Sequence, residues 1–198
     1  MGLAPYGEPR YVGLIKAHLI DIKPDGTFRL DMRYFNYATG LTMTNRRFNA
    51  LFGGPPRQPE AELTQREMDI AASIQVVTEE IVLKLANTIH AELGTEHLCL
   101  AGGVALNCVA NGRLDREGPF RSVWIQPAAG DAGGALGAAL ATWHLYLDQP
   151  RVADDQNDVM RGAFLGKAFD QPPVESCLEA MSAPYRWVSD DQLMPEVA

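Results

Sequence analysis

Cysteine is scarce in this chain: Cys99, Cys108 and Cys177 are the only three. The odd count, wide spacing and lack of any CxxC pair exclude a disulfide framework, and no histidine stands at zinc-ligand spacing from them. Such usage fits a reducing cytoplasm. Basic charge is also short. Lys and Arg number 17 against 25 Asp and Glu, for a formal charge of −8 and a pI near 5.0. With no basic field to attract phosphates, nucleic acid and an anionic membrane are excluded as partners. No apolar run approaches the roughly eighteen residues of a membrane-spanning helix. The first residues carry neither the basic region nor the apolar stretch of a signal peptide, so a soluble chain, not exported by that route, is expected. His18, His90, His97 and His144 are isolated, without HxxxH or HExxH spacing. No metal site is expected from this chain alone, and no local Ser, His and Asp motif supports hydrolytic catalysis.

What is present is a chain of 198 residues, 46% of them hydrophobic, enough for one domain with an ordinary core. The opening MGLAPYGEPRY sets Gly2, Pro5, Gly7 and Pro9 close together, which is turn chemistry rather than a capped start of a regular element. From Leu19 to Phe35, the trio Pro24, Asp25 and Gly26 separates two runs of roughly alternating apolar residues and predicts an antiparallel hairpin. Residues 36–62, including FGGPPRQPE, are too rich in Gly and Pro for a long helix; loop with at most one short helix is expected. Thr64 and Glu67 form a capping box, and Ile70, Ile74, Val77, Ile81, Leu85 and Ile89 then recur every three or four positions. A helix of about eight turns follows, closed by Gly94 in a left-handed cap.

His97 to Ala101 and the SVWIQP run at 122–127 read as buried strands, with VALNCVANGRL between them as a short helix ending near Gly112. From Asp131, DAGGALGAALATWHLYL predicts a further helix of about four turns with Asp131 as its N-cap. Strand, helix, strand, helix implies an α/β class with a parallel sheet and helices on its faces. No internal repeat is visible. Beyond Gln149 the chain turns polar, with DDQND at 154–158 and Pro172, Pro173, Pro184 and Pro195. The expected organisation is one lobe over residues 1–150 and a linker or tail over 151–198.

Two segments can carry chemistry. In AGGVALN, Ala101 to Asn107, a strand ends in Gly102 and Gly103 and a helix begins, so a ligand can approach the backbone near unpaired N–H groups. The same residues also serve as a plain strand-to-helix turn, and the two readings weigh evenly. In PAAGDAGGALGAA, Pro127 to Ala139, Asp131 sits at the carboxyl end of the sheet, where open parallel sheets bind ligands and where a carboxylate can hold a hard cation. Helix capping is its plainer role. Gly133, Gly134 and Gly137 each cost roughly 1 kcal/mol relative to Ala in a helix, so close packing against a helix or a nucleotide should compensate. The two glycine-rich junctions are expected to face each other across one cleft. Gln75 and Glu79, four apart on one helical face, read as solvated in preference to touching a ribose or a loop.

The blocks MGLAPYG, DGTFRLD, FGGPPRQPE, DIAASIQVVTEE, LCLAGGVALNCVANGRL, IQPAAGDAGGALGAAL and FLGKAF, in this order over about residues 1–170, resemble the NodU/CmcH-type O-carbamoyltransferase family. The resemblance implies a ribonuclease-H-like lobe of the actin, sugar kinase and heat-shock ATPase type, the second of two lobes that close on a nucleotide. It implies carbamoyl phosphate and ATP as substrates, a carbamoyl adenylate formed in a separate C-terminal domain, and transfer to a hydroxyl of a small-molecule or sugar acceptor. Gly102, Gly103 and Asn107, with Gly130, Gly133 and Gly134, match the nucleotide-lining segments. Asp131 matches the aspartate that, with two histidines, holds a divalent metal, usually Fe2+. Those histidines would lie upstream of MGLAPYG, and the adenylate-forming domain downstream of FLGKAF. A chain of this extent is therefore expected not to catalyse the whole reaction alone, to bind metal poorly, and to self-associate through exposed lobe surface. Two other readings compete. One is a nucleotide-binding module without catalysis. The other is a tRNA-modifying kinase-like subunit, whose basic surface is missing at a net charge of −8.

Overall fold

A computed structural model describes residues 1–152, 160, 163 and 166–197; Phe164 and Leu165 of the FLGKAF block and the DDQND run lie outside them. The chain forms two compact units, Met1–Arg151 and Val152–Ala198.

The opening residues turn, as their Gly and Pro content predicts, with Ala4–Tyr6 in a single 3-10 turn. A short helix α1, Val12–His18, follows, an element that no cap announces in the sequence. Its start is fixed from outside. Tyr11 N–H donates to Ser73 Oγ at 2.9 Å, Glu8 N–H donates to Asp69 Oδ1 at 2.8 Å, and Arg10 Nε meets Asp69 Oδ2 at 2.8 Å. The Glu8 N–H, then Gln65, then the Arg10 charge hold the Asp69 carboxyl below its ordinary range. A buried carboxylate this well satisfied anchors the N-terminal turn rather than destabilising the core.

The predicted hairpin forms from β1, Ile20–Ile22, and β2, Phe28–Leu30, with Ile20 opposite Leu30 and Ile22 opposite Phe28. At its tip the Asp25 carboxylate accepts from Thr27 N–H at 2.9 Å and from Thr27 Oγ1 at 2.7 Å, an Asx-type closure. The one short helix of the Gly- and Pro-rich stretch is α2, Arg46–Leu51, whose N-cap Asn45 accepts from Arg47 and Phe48 N–H. The long helix α3, Gln65–Leu93, begins at the capping box and ends at Gly94 with φ 64°. Glu67 accepts from Thr64 N–H at 3.0 Å and from Thr64 Oγ1 at 2.5 Å.

Helix α3 serves two cores. Val77 and Ile81 pack with Ile15, Leu19, Ile20 and Phe52 on the hairpin side, while Ala86 packs with Leu114 and Phe120 beneath a second sheet. That sheet pairs β3, His97–Leu100, in parallel with β4, Ser122–Ile125. Between them run a 3-10 turn, Gly103–Leu106, and helix α4, Cys108–Glu117. The helix therefore passes through Gly112 instead of ending there. Asn107 caps its start, and burial of Ala110 and Leu114, 2% and 1% exposed, outweighs one interior glycine at roughly 1 kcal/mol.

Helix α5, Asp131–Ala141, follows β4, with a π-type turn at Thr142–Tyr146. Its N-cap is Gly130, and Asp131 is the first helical residue, with no side-chain cap bond at that end. The strands are also not fully buried as expected: inward Leu98, Leu100 and Val123 are half-covered, while Cys99 and Trp124, opposite each other in register, are exposed. Among the described residues two strands pair in this sheet; α3 and α4 cover one face and α5, which buries none of its residues, leaves the other largely open.

In the second unit, the stretch read as linker or tail contains helices α6, Gln171–Ala180, and α7, Asp190–Val197. Pro172 and Pro173 fall in the first turn of α6, where a missing N–H breaks no helical bond. Among the described residues no helix is long and apolar enough to cross a membrane.

Candidate functional site at the glycine junctions

Parallel pairing of β3 and β4 carries both glycine-rich junctions to the same, carboxyl, end of the sheet. There they meet directly. Gly102 N–H donates to the Ala129 carbonyl at 2.9 Å, continuing the ladder in which Gln126 N–H donates to Leu100 at 3.0 Å. Gly102 holds φ at +99°, a backbone state that side chains with a Cβ seldom adopt. A Cβ placed on Gly130 would stand 3.5 Å from Leu106 Cδ1, in ordinary contact. The junctions thus abut, where a cleft between them was expected.

The glycines divide by the space around them. A Cβ on Gly133 would overlap the Ala128 carbonyl oxygen, so this glycine is needed for the fold. Around a Cβ on Gly103 or Gly134 nothing lies within 4 Å. Neither is demanded by packing among the described residues, although Gly134 sits in a helix, where Ala is favoured. Asp131 lies beside them, exposed, at the first turn of α5, where the helix dipole favours a negative charge.

Asn107 is placed differently, at 4% exposure behind the turn. Its amide exchanges two hydrogen bonds with Gln75 of α3, at 3.1 and 3.0 Å, and its Oδ1 also accepts from Ala110 N–H at 3.1 Å. Gln75 and Glu79 are therefore not a solvated face. Gln75 is 8% exposed, and Glu79 joins it to Arg113 of α4. Arg113 in turn is held charged by its bond to Glu117 first and by Glu79 after it, which raise its pKa. The i, i+4 spacing was visible in the sequence; the partner 32 residues away was not.

A cavity of about 270 Å3 opens between α5 and the exposed strand face, lined by Cys99, Trp124, Gln126, Gly133, Gly137 and Leu140 among others. Of the predicted site residues only Gly133 borders it. A wider depression of about 630 Å3 lies at the hairpin between Lys16 and Arg33, away from both junctions. Its Asp31 carboxyl is lowered to about 2 by hydrogen bonding from Arg33, with which it forms an ion pair at 2.5 Å.

Among the described residues no three His, Cys, Asp or Glu side chains converge on a point where an ion could sit. Asp131 by itself offers one carboxylate, which does not fit a complete two-histidine, one-aspartate set.

The family model for the carbamoyltransferase N-terminus matches residues 1–140, and this chain belongs to that NodU-type carbamoyltransferase family. It is 64% identical over 200 residues to an uncharacterised protein of Synechocystis sp., a match covering 100% of this chain and 32% of that protein. It is 36% identical over 166 residues to nodulation protein NolO of Bradyrhizobium diazoefficiens, covering 84% of this chain and 28% of the relative. With nodulation protein NolNO of Sinorhizobium fredii, 33% identity extends over 201 residues, covering 96% and 28%. The chain thus spans about a third or less of the length of these relatives.

Proposed function

We propose that this chain is the nucleotide-handling lobe of an O-carbamoyltransferase, with the ribonuclease-H-like architecture of the actin, sugar kinase and heat-shock ATPase type. In this reading the whole protein lets water split carbamoyl phosphate into carbamate and inorganic phosphate, and the carbamate oxygen attacks the α-phosphorus of ATP, releasing pyrophosphate and leaving a carbamoyl adenylate. An acceptor hydroxyl then attacks the carbamoyl carbon, the bond to AMP breaks, and the hydroxyl proton passes to a base. ATP sits over the junctions formed by Gly102, Gly103, Gly130, Gly133 and Gly134, with Asn107 behind them. The acceptor is a small molecule or sugar. Asp131 is the one ligand this chain contributes to a divalent-metal site, such as Fe2+, completed elsewhere in the longer protein, and the isolated chain binds that ion weakly. Three free, exposed cysteines suit a reducing cytoplasm, and the open apolar side chains of α5 are where the chain self-associates.

The observation that carries this reading is the joining of two glycine-rich junctions by the Gly102 to Ala129 hydrogen bond, with open space above Gly103 and Gly134. Exposed backbone next to a helix start is what a phosphate or a ribose needs. The test is calorimetric titration of ATP into the chain and into Gly103→Val. Since a Cβ at this position meets nothing within 4 Å, the variant is expected to fold and to lose room for ligand, which its circular dichroism spectrum checks. Saturable binding that the substitution abolishes is expected. Absence of binding to the unsubstituted chain, or equal binding by both, counts against the nucleotide reading.

A further inference from the structure

We infer that Gln75 is a positioning residue for the ligand-binding turn: through Asn107 it locks the Gly102–Leu106 segment to α3. The inference rests on the nucleotide reading above and deepens it, since Gln75 belongs to no glycine motif and reaches the junction only through the fold.

The arrangement has one orientation. Ala110 N–H can only donate, so the atom of Asn107 facing it is the oxygen. The Glu79 carboxylate can only accept, so the atom of Gln75 facing it at 2.8 Å is the amide nitrogen. With both ends fixed, the two amides pair reciprocally, Gln75 Nε2 to Asn107 Oδ1 and Asn107 Nδ2 to Gln75 Oε1. Arg113 holds Glu79 from α4 at 3.3 Å and Glu117 at 3.0 Å. On the other side of the turn, Asn111 Nδ2 donates to the Ala105 carbonyl at 2.7 Å. Among the described residues no buried side-chain nitrogen or oxygen lacks a partner.

The network spans three elements, and its centre is the residue that ends the glycine turn and starts α4. Asn107 has little left to offer a ligand: its oxygen accepts twice and its amide nitrogen already donates to Gln75. Its contribution is to hold the turn, and Gln75 fixes it from the middle of a 29-residue helix that is itself anchored in two cores. Groups that hold metal ligands from behind are ordinarily worth about 10- to 100-fold in affinity or activity, and the lower end of that range is the effect expected for this turn.

The test compares the chain with Gln75→Met, which keeps length and helix propensity but makes no hydrogen bond, and with Asn107→Ser, which keeps a cap for Ala110 but cannot reach Gln75. Ile15→Val in the hairpin-side core is the control for stability loss away from the latch. Amide hydrogen exchange is followed at Gly102–Ala105, together with ATP affinity and melting temperature. Both latch variants are expected to raise exchange at the turn about tenfold while α3 amides near Ile81 stay protected, and to weaken ATP about tenfold. Ile15→Val should do neither. Unchanged exchange at the turn, or faster exchange with ATP affinity within about twofold of the unsubstituted chain, overturns the inference. If the unsubstituted chain binds no ATP, the nucleotide reading fails instead, and exchange alone decides whether the latch holds the turn. Should Gln75→Met not fold, Asn107→Ser decides by the same outcomes.

Discussion

Adjacent glycines at the start of α5 give a sharp test of which residues the fold requires. Gly134→Ala adds a methyl to open space. It gains helix propensity and narrows the unfolded ensemble, worth about 0.5–1 kcal/mol. Gly133→Ala gains the same term, but its methyl is driven into the Ala128 carbonyl oxygen. Neither atom is the end of a flexible side chain, so the start of α5 or the residue 127–130 loop must shift, and overpacking of this sort costs about 1–3 kcal/mol. The net expectation is a loss of up to about 2.5 kcal/mol for Gly133→Ala and a gap of about 1–3 kcal/mol between the variants. At about 2–4 °C per kcal/mol for a chain of this size, the melting temperatures should differ by roughly 2–12 °C. Urea unfolding monitored by circular dichroism, with equal slopes for the two variants, measures the same gap. If Gly133→Ala proves as stable as Gly134→Ala, the assignment of Gly133 to packing is refuted. A second reading comes from ATP titration: Gly134→Ala should be more stable yet bind ATP more weakly, and undiminished affinity removes Gly134 from the site.

Two further outcomes follow from the same structure. Leu114, 1% exposed between Ala86 and Phe120, is the packing centre under the parallel strands, and Leu114→Ala should lower unfolding free energy by about 2–5 kcal/mol in urea titrations; a loss under about 1 kcal/mol would show that the site collapses freely. The Glu67 carboxyl is held down to about 2, first by the Thr64 hydroxyl hydrogen bond and then by Arg66. Because its unfolded value is near 4.3, the stability it contributes is complete above that value and drains as pH falls toward about 2. The difference in urea midpoint between the chain and Glu67→Gln should therefore shrink steadily across that window; a constant difference would refute the linkage.

Much of the local structure was legible because it is set by short-range rules. The Pro24-Asp25-Gly26 hairpin, the Thr64 to Glu67 capping box, the length of α3 and its close at Gly94 each depend on residues a few positions apart. The errors arose where distant groups decide. Helix α1 is started by Asp69 and Ser73, about sixty residues onward, so nothing in its own sequence marks it. Helix α4 continues past Gly112 because Leu114 is buried under β3 and β4, a gain that local propensity does not contain. Asp131, a good N-cap by type, gives way to Gly130 as the backbone leaves the strand.

For the site, glycine spacing identified both junctions, and the family motifs identified the chain's kin. Residue types and order by themselves determined the strand–helix–strand–helix course, the placement of glycines at the strand ends and the acidic, low-cysteine character of the chain. Tertiary structure alone decided which of those glycines are needed for packing, that the two junctions touch through Gly102 and Ala129, and that Gln75 reaches Asn107. The physical reason is range: turns and caps are settled by hydrogen bonds within a few residues, whereas steric room and buried amide pairing exist only once strands have been set side by side.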